Sequence, residues 1–485
     1  VSRPVTDRCP GLVRPYQSAD GALVRIRIPG GRITAVALAG LSALSEQYGD
    51  GLLQITSRAN LQLRGITLAD GAVDPGLAAG IEDLGLNPAP DHELVRNIAA
   101  SPLSGLAGGV RDIRPLVSAL DAGLIARPAL AELPGRFLFA IDDGRGDQVG
   151  FDLGLIADGT GVRALVGDFI GEQYDDEGGV RRLLELAEEF VARRGEAWRV
   201  RELPEQGAEL GEPLQPRAHP APEPLTVGVH GTALVVMPRL GRLTPAQIAV
   251  LTGDQVTGVS TTARSLALPH CSTTDEGPPA AGGDFDGRSS LALLAAQSPD
   301  GGRSSGVVGG RAGRGTSPVV ETTYAGREDL VPGVSTTARS LALPHCSTTD
   351  EGPPAAGGRA GRGTSPVVET TSAGRNARST TEDGGEVVVT VGRQVVVTDP
   401  GPEAARALAA AGLESDPASP WTRITACTGA PGCANGQFET YPRAQQLAEQ
   451  VGSGEYADGL PIHIAACDRL CGVPRGRHHL VTTGS

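Results

Sequence analysis

Four cysteines stand in the last 60 residues of this 485-residue chain, as CTGAPGC (427–433) and CDRLC (467–471). The first pair is spaced Cys-x5-Cys and the second Cys-x3-Cys, with 33 residues between them. Structural zinc usually sits on Cys-x2-Cys knuckles, and neither pair has that spacing. Wider spacings suit a [4Fe–4S] cubane, whose irons occupy separate corners and take thiolates from different directions. Gly429, Pro431 and Gly432 predict a tight turn whose backbone N–H groups approach the sulfurs and tune the reduction potential. Spacing alone leaves zinc and unligated thiols open. Cys9, in a CPG turn, reads as structural, and Cys271 and Cys346, preceded by His270 and His345, read as duplicated linker rather than a metal site. Seven cysteines with no apolar leader at VSRPVTDRCPG argue against a disulfide framework.

Charge narrows the chemistry further. Forty-two basic residues, all arginine, face 56 acidic ones, for a net charge of −14. That balance drops nucleic acid as a partner. The absence of lysine removes P-loop and Schiff-base chemistry. No uncharged apolar run approaches the length of a membrane span, so a cytoplasmic protein without a membrane partner is expected.

These side chains need a frame, and the chain predicts one in pieces. Residues 258–283 recur verbatim at 333–358, and 309–323 at 357–371. Exact copies at irregular offsets, poor in aromatics and rich in Gly, Ser, Thr and Pro, predict a disordered insertion over 255–384. The remainder reads as α+β. ALVRIRIPGG (22–31) alternates as a half-buried strand ending in a turn. A helix near 40–48 and strands at 52–56 and 61–64 follow. The order recurs as ALVVM (233–237), a helix capped by Thr244 and begun by Pro245, EVVVT (386–390), QVVVT (394–398) and PEAARALAAAG, closed by Gly412. Two such copies predict a pseudo-twofold domain whose second half the insertion splits. Between them lie a strand at 133–142 and an amphipathic helix at 181–194. A last helix begins at Pro442, between the cysteine pairs.

Together, the Cys-x5-Cys…Cys-x3-Cys pattern, ITSRANLQLRG (55–65) and VRNIAASPLSG (95–105) resemble the siroheme nitrite and sulfite reductase superfamily. The resemblance implies two ferredoxin-like half-domains, at 1–70 and at 222–254 with 385–415. It implies an α/β domain at 90–203 and a cluster-binding α/β domain at 420–485. Within the superfamily, CPGLVRPYQSADGALVRIRIPGG, LPGRFLFAIDDG and CTGAPGCA are most similar to the precorrin-3B synthase family.

That family implies a tetrapyrrole substrate, precorrin-3A, hydroxylated at C20 with O2 while the ring A acetate closes a lactone. Cys427, Cys433, Cys467 and Cys471 are then the cluster ligands. Arg25, Arg58, Asn60, Arg64, Arg96, Arg136 and Arg393 are the candidates for holding the carboxylate rim. Arg136 and Leu138 stand where reductases of the superfamily often have a lysine pair. A leucine there weakens an oxyanion cage and suits an apolar diatomic. The resemblance also implies a mononuclear non-haem iron. No 2-His-1-carboxylate set is readable around His463, His478 and His479, and no catalytic residue is assigned. The only Gly-rich candidate, GGRAGRGTS (309–317), lies in the insertion, so a separate NAD(P)H-dependent reductase or ferredoxin is expected as electron donor. A siroheme-dependent nitrite or sulfite reductase is the alternative, and a vestigial or electron-transfer iron–sulfur protein the third reading.

Overall fold

The computed structural model describes residues 7, 9–211, 214–217, 223–253, 319–322, 385–474 and 476–482. Apolar alternation makes β2 (Gly21–Ile26), with Ala22, Val24 and Ile26 buried in one core. It pairs antiparallel with β1 (Tyr16–Ser18) and with β5 (Leu61–Ile66), which turns back to β4 (Leu53–Ile55). Between β2 and β4 come a short β3 (Arg32–Thr34) and α1 (Ala35–Tyr48). The helix expected near 40–48 starts five residues earlier because Thr34 caps it, its Oγ1 accepting from Ala37 N–H at 3.1 Å. Helix α2 (Pro75–Asp83) closes this half.

The second half repeats the order. It runs β12 (Gly228–His230), β13 (Ala233–Val236), β14 (Arg242–Leu243), α5 (Pro245–Leu251), β16 (Glu386–Val389), β17 (Val395–Thr398) and α6 (Pro402–Ala410). Thr244 and Gln247 form a capping box at the start of α5. The turns between the paired strands match bond for bond. Thr56 N–H donates to the Asn60 carbonyl at 2.9 Å, and Thr390 N–H to that of Gln394 at 3.0 Å. Asn60 and Gln394 N–H return to the Thr56 and Thr390 hydroxyls at 3.2 and 3.1 Å.

Each half lends a strand to the other. One sheet runs β1-β2-β5-β4-β14 and the second β12-β13-β17-β16-β3. Both sheets bury a face in one shared core with α1, α2, α5 and α6. Their opposite faces differ. In the second sheet it is Ala233, Val235, Val388 and Val396, packed on Leu103 and Val227. In the first it carries Arg25, Gln62, Gln54, Arg64 and Arg242, alternating with the core residues.

Between the halves lies a six-stranded sheet, β11-β10-β9-β8-β7-β6. Its strands β6 (Ile98–Ala100), β7 (Phe139–Asp142) and β8 (Leu153–Ala157) are parallel. The antiparallel part is β9 (Val162–Val166), β10 (Phe169–Tyr174) and β11 (Gln215–Pro216). Helices α3 (Arg114–Ile125) and α4 (Asp176–Arg193) pack on it. The strand expected over 133–142 is only β7, because Phe137 N–H bonds back to the Pro134 carbonyl in a turn. α4 starts five residues before the expected 181, capped by Asp175 on Gly178 N–H at 2.7 Å. The adjacent glycines hid that start, and a Cβ on Gly179 would lie 2.3 Å from Val162.

The C-terminal unit is a second parallel sheet, β18 (Ile424–Ala426), β19 (Ile462–Ile464) and β20 (Gly476–Val481), with α7 (Thr440–Gly452) between its first two strands. α7 begins at Thr440 rather than Pro442. Val319–Thr322 form β15, antiparallel to β20. These four residues of the insertion expected to be disordered are therefore a strand. The rest of 255–384, with Cys271, Cys346 and GGRAGRGTS, lies outside the described residues. Among the described residues no helix is long and apolar enough to cross a membrane.

Candidate functional site

The two cysteine pairs meet because they follow adjacent parallel strands. Cys427 comes directly after β18, and Cys467 three residues after the end of β19. Cys427 N–H donates to the Ile464 carbonyl at 3.0 Å, and Ala466 N–H donates to Cys427 Sγ at 3.2 Å. Gly429 (φ 68) turns the first loop, where a Cβ would lie 2.6 Å from Thr440 Cγ2. Thr440 Oγ1 lies 3.1 Å from the Cys427 carbonyl, to which it donates. All four sulfurs are free thiols. Burial raises the Cys471 thiol, and the fields of Cys467, Cys427 and Cys433 raise it further, as gathered sulfurs do. Among the described residues no three His, Cys, Asp or Glu side chains are arranged to hold a single metal ion. Four free thiols from two loops, one already accepting a backbone N–H, fit an iron–sulfur cluster, which gives each thiolate its own iron.

The first sheet reaches this loop through Arg64. Its guanidinium binds Asp20 at 3.0 and 2.9 Å and donates to the Gly432 carbonyl, between Cys427 and Cys433, at 2.8 Å. Ser18 Oγ donates to the same carbonyl at 2.6 Å. Arg64 is thus committed to this chain, anchoring the cysteine loop. Arg64→Met leaves Asp20 half-buried without its partner and frees the loop. We expect a loss of about 2–3 kcal/mol, read by denaturant unfolding; an unchanged midpoint would refute the anchor.

Along the same polar face, Arg25 donates to Gln62 at 3.0 Å and Gln62 to Gln54 at 3.0 Å. Arg25 Nε has no partner. Arg27, just beyond the end of β2, is 3% exposed. Its Nη1 donates to the Pro10 and Arg25 carbonyls at 2.7 and 2.9 Å, while Nε and Nη2 are buried without partners. Burial first, then the Arg25 charge, pulls the Arg27 guanidinium down to about 10. Burial also lowers Arg25 and Arg58, the latter helped by Arg199. Cys9 shares the field of all three arginines, and burial, then Asp7, raises its thiol.

A two-asparagine ladder sets Arg58 beside them. Asn60 Oδ1 accepts from Ile28 N–H at 2.9 Å, and Asn60 Nδ2 donates to Asn97 Oδ1 at 3.1 Å. Asn97 Nδ2 donates to the Leu94 and Gly135 carbonyls at 2.8 and 3.0 Å, and Arg58 reaches the Gly135 carbonyl at 3.4 Å. Asn60 is therefore a brace between segments. Asn97→Ala leaves the Asn60 amide and the Leu94 carbonyl unpaired, while Gly135 keeps only its longer bond to Arg58, so we expect it to cost about 2–4 kcal/mol, checked by thermal melting; a loss below about 0.5 kcal/mol would mean the ladder does not join them.

The other expected residues are held in different ways. Arg96 is held by Asp121 through two bonds of 2.7 Å, at the wall of a cavity of about 500 Å³ that Arg27, Arg32 and Arg114 also line. Arg136 is exposed over the Trp198 ring at 5.2 Å. Leu138 is buried among Ala99, Ala140, Phe151 and Leu165. Arg393 (φ 62) stands at the turn position of Ala59 (φ 56), one residue from the counterpart of Arg58, and its field reaches His463. His463 is fully buried, with Nδ1 accepting from Thr425 Oγ1 at 2.9 Å and Nε2 donating to the Cys471 carbonyl at 3.1 Å. Burial drops its pKa to about 4. Sequence reasoning passed over Arg27 and Asn97, although both lie inside segments it quoted.

Residues 15–72 match the family model of the nitrite/sulfite reductase ferredoxin-like half domain. A precorrin-3B synthase from Sinorhizobium sp is 34% identical over 137 residues, 28% of each chain. A ferredoxin–nitrite reductase from Synechococcus elongatus is 34% identical over 161 residues, covering 30% of this chain and 31% of that protein. Each of these matches thus spans under a third of the relative's length. The fold is that of the Mycobacterium tuberculosis NirA protein, at TM-score 0.54 and 16% identity, over 94% of this chain and 73% of that one.

Proposed function

For a chain whose residues 15–72 are a nitrite/sulfite reductase ferredoxin-like half domain, we propose a precorrin-3B synthase-like monooxygenase. It hydroxylates precorrin-3A at C20, with the ring A acetate closing a lactone. One oxygen atom of O2 enters the substrate and the other leaves as water, with two electrons from a donor and two protons from solvent. The observation that carries this reading is the group of buried Arg27 with half-buried Arg25 and Arg58. Among the described residues none of the three makes an ion pair, and Arg25 Nε, Arg27 Nε and Arg27 Nη2 are unpartnered. Such guanidiniums match the acetate and propionate rim of a flat polyacid. With a pKa of about 10, Arg27 is cationic at neutral pH, and in a chain of net charge −14 the group focuses an anionic substrate.

Cys427, Cys433, Cys467 and Cys471 would hold a [4Fe–4S] cluster, which supplies electrons one at a time when bound. Arg64 and Ser18 hold that loop against the sheet that carries Arg25. The electron donor is a separate ferredoxin or NAD(P)H-dependent reductase; relatives named ferredoxin–nitrite reductase support the former. The mononuclear iron that the resemblance implies finds no ligand group among the described residues. A cytoplasmic location without a nucleic-acid partner accompanies the proposal.

The second reading, a siroheme-dependent nitrite or sulfite reductase, is supported by nitrite reductase relatives at the same 34% identity as the synthase. Optical and EPR spectra of anaerobically purified protein separate the two: haem bands favour siroheme, and a broad cluster shoulder alone favours the synthase. Precorrin-3A turned over with O2 and a reductant is the expected result. No product from protein with an intact cluster would refute the oxygenase and leave the vestigial or electron-transfer reading.

A further inference from the structure

The two parallel-sheet units of this chain are copies, and their differences isolate one side chain. β6 and β7 pair Ala99 with Ala140 and Ala100 with Ile141; β18 and β19 pair Thr425 with His463 and Ala426 with Ile464. The residue after the first strand, Ser101 or Cys427, donates its N–H to the Ile141 or Ile464 carbonyl at 3.1 or 3.0 Å. Two residues further on, Asp143 or Ala466 N–H returns to the Ser101 hydroxyl or the Cys427 sulfur at 3.1 or 3.2 Å. Register and hydrogen bonds together make Ser101 the counterpart of Cys427 and Ala140 that of His463.

The copy without cysteines closes its loops differently. There Arg145 donates to Asp143 at 2.6 Å and to the Ala107 carbonyl at 2.7 Å. It also has alanine at both positions where the cysteine copy places half-buried Thr425 and buried His463. Burying an imidazole in a sheet is unfavourable unless both nitrogens are satisfied. Both are, and the satisfaction has a direction: a carbonyl only accepts, so Nε2 carries the proton and donates to Cys471, which leaves Nδ1 to accept from Thr425 Oγ1. That carbonyl follows Leu470, a non-glycine residue at φ 49. A backbone in that region persists only where its surroundings hold it.

We propose that His463 is a positioning residue that fixes Cys471 through its carbonyl, with Thr425 holding the ring's other nitrogen, so that the pair governs how firmly the fourth thiolate holds its iron. This rests on the reading of the four cysteines as cluster ligands. The test compares full-length wild type with His463→Ala, His463→Gln and Thr425→Ala, all purified anaerobically. Iron and sulfide content, release of iron to a chelator and the midpoint potential are measured. We expect His463→Ala to release iron at least about tenfold faster with a shifted potential. His463→Gln, whose amide N–H reaches the same carbonyl, should return close to wild type, and Thr425→Ala should fall between. Wild-type release and potential in His463→Ala would overturn the inference. So would a glutamine variant as defective as the alanine one, since ring volume rather than the carbonyl bond would then matter. If His463→Ala is insoluble, Thr425→Ala decides, with faster release supporting the proposal and unchanged release refuting it. Wild-type protein without iron and sulfide would overturn the cluster reading itself, a failure distinct from the others.

Discussion

Cys433→Ser is expected to empty the site, taking iron from about four per chain to below about one. The loss is this large because the thiolates are not interchangeable donors. Cys433 sits at the end of a turn that Gly429 makes and that Arg64 and Ser18 hold from the neighbouring sheet through Gly432. No other cysteine among the described residues can replace it, since Cys9 lies among Arg25, Arg27 and Arg58. Folding follows the metal. The C-terminal core has few buried side chains, centred on Trp421, Ile424, Leu447, Ile462 and Val481, so ligand binding is a substantial part of its stability. A loss of about 2 kcal/mol lowers the midpoint of a unit of this size by about 10 °C. Cys9→Ser is the control and should keep its iron. Full iron and sulfide in Cys433→Ser, or loss in Cys9→Ser, would refute the ligand set.

How much of this was legible depended on the range of each interaction. The cysteine spacing and the Thr244 cap are local, and their chemistry could be read directly. The swapped β3 and β14 could not, because three-residue and two-residue strands carry no periodicity. Arg64 and Arg96 read as ligand-binding because the carboxylates that claim them, Asp20 and Asp121, lie 44 and 25 residues away in sequence. Arg27 was passed over for the opposite reason: β2 alternation predicts that it faces solvent, whereas the segment around Pro10 covers it. Arg393 illustrates a finer limit, since a shift of one turn residue re-aims a side chain, and only the matched bonds of Thr56 and Thr390 reveal the shift.

Arg27 also supports the prediction that best separates binding from architecture. In Arg27→Met, precorrin-3A binding should weaken about 30–100-fold, the equivalent of one charge-assisted pair of about 2–3 kcal/mol, with Arg58→Ala giving a similar loss. The stability change should run the other way from that of Arg64→Met. The fall of the Arg27 pKa from the ordinary guanidinium range to about 10 is roughly a 3 kcal/mol penalty on its charged form. Against this stand two carbonyl hydrogen bonds of about 1 kcal/mol each. The methionine variant should therefore melt at or slightly above wild type. The sign also sets the pH dependence. The folded state releases this proton more readily than the unfolded chain, so the penalty is complete below pH 10 and fades only as pH rises from 10 toward the ordinary guanidinium range. Stability gained and affinity lost in one substitution is the mark of a charge kept for a ligand. If Arg27→Met binds precorrin-3A as tightly as wild type, measured by fluorescence quenching at neutral pH, the guanidinium group is not the carboxylate site.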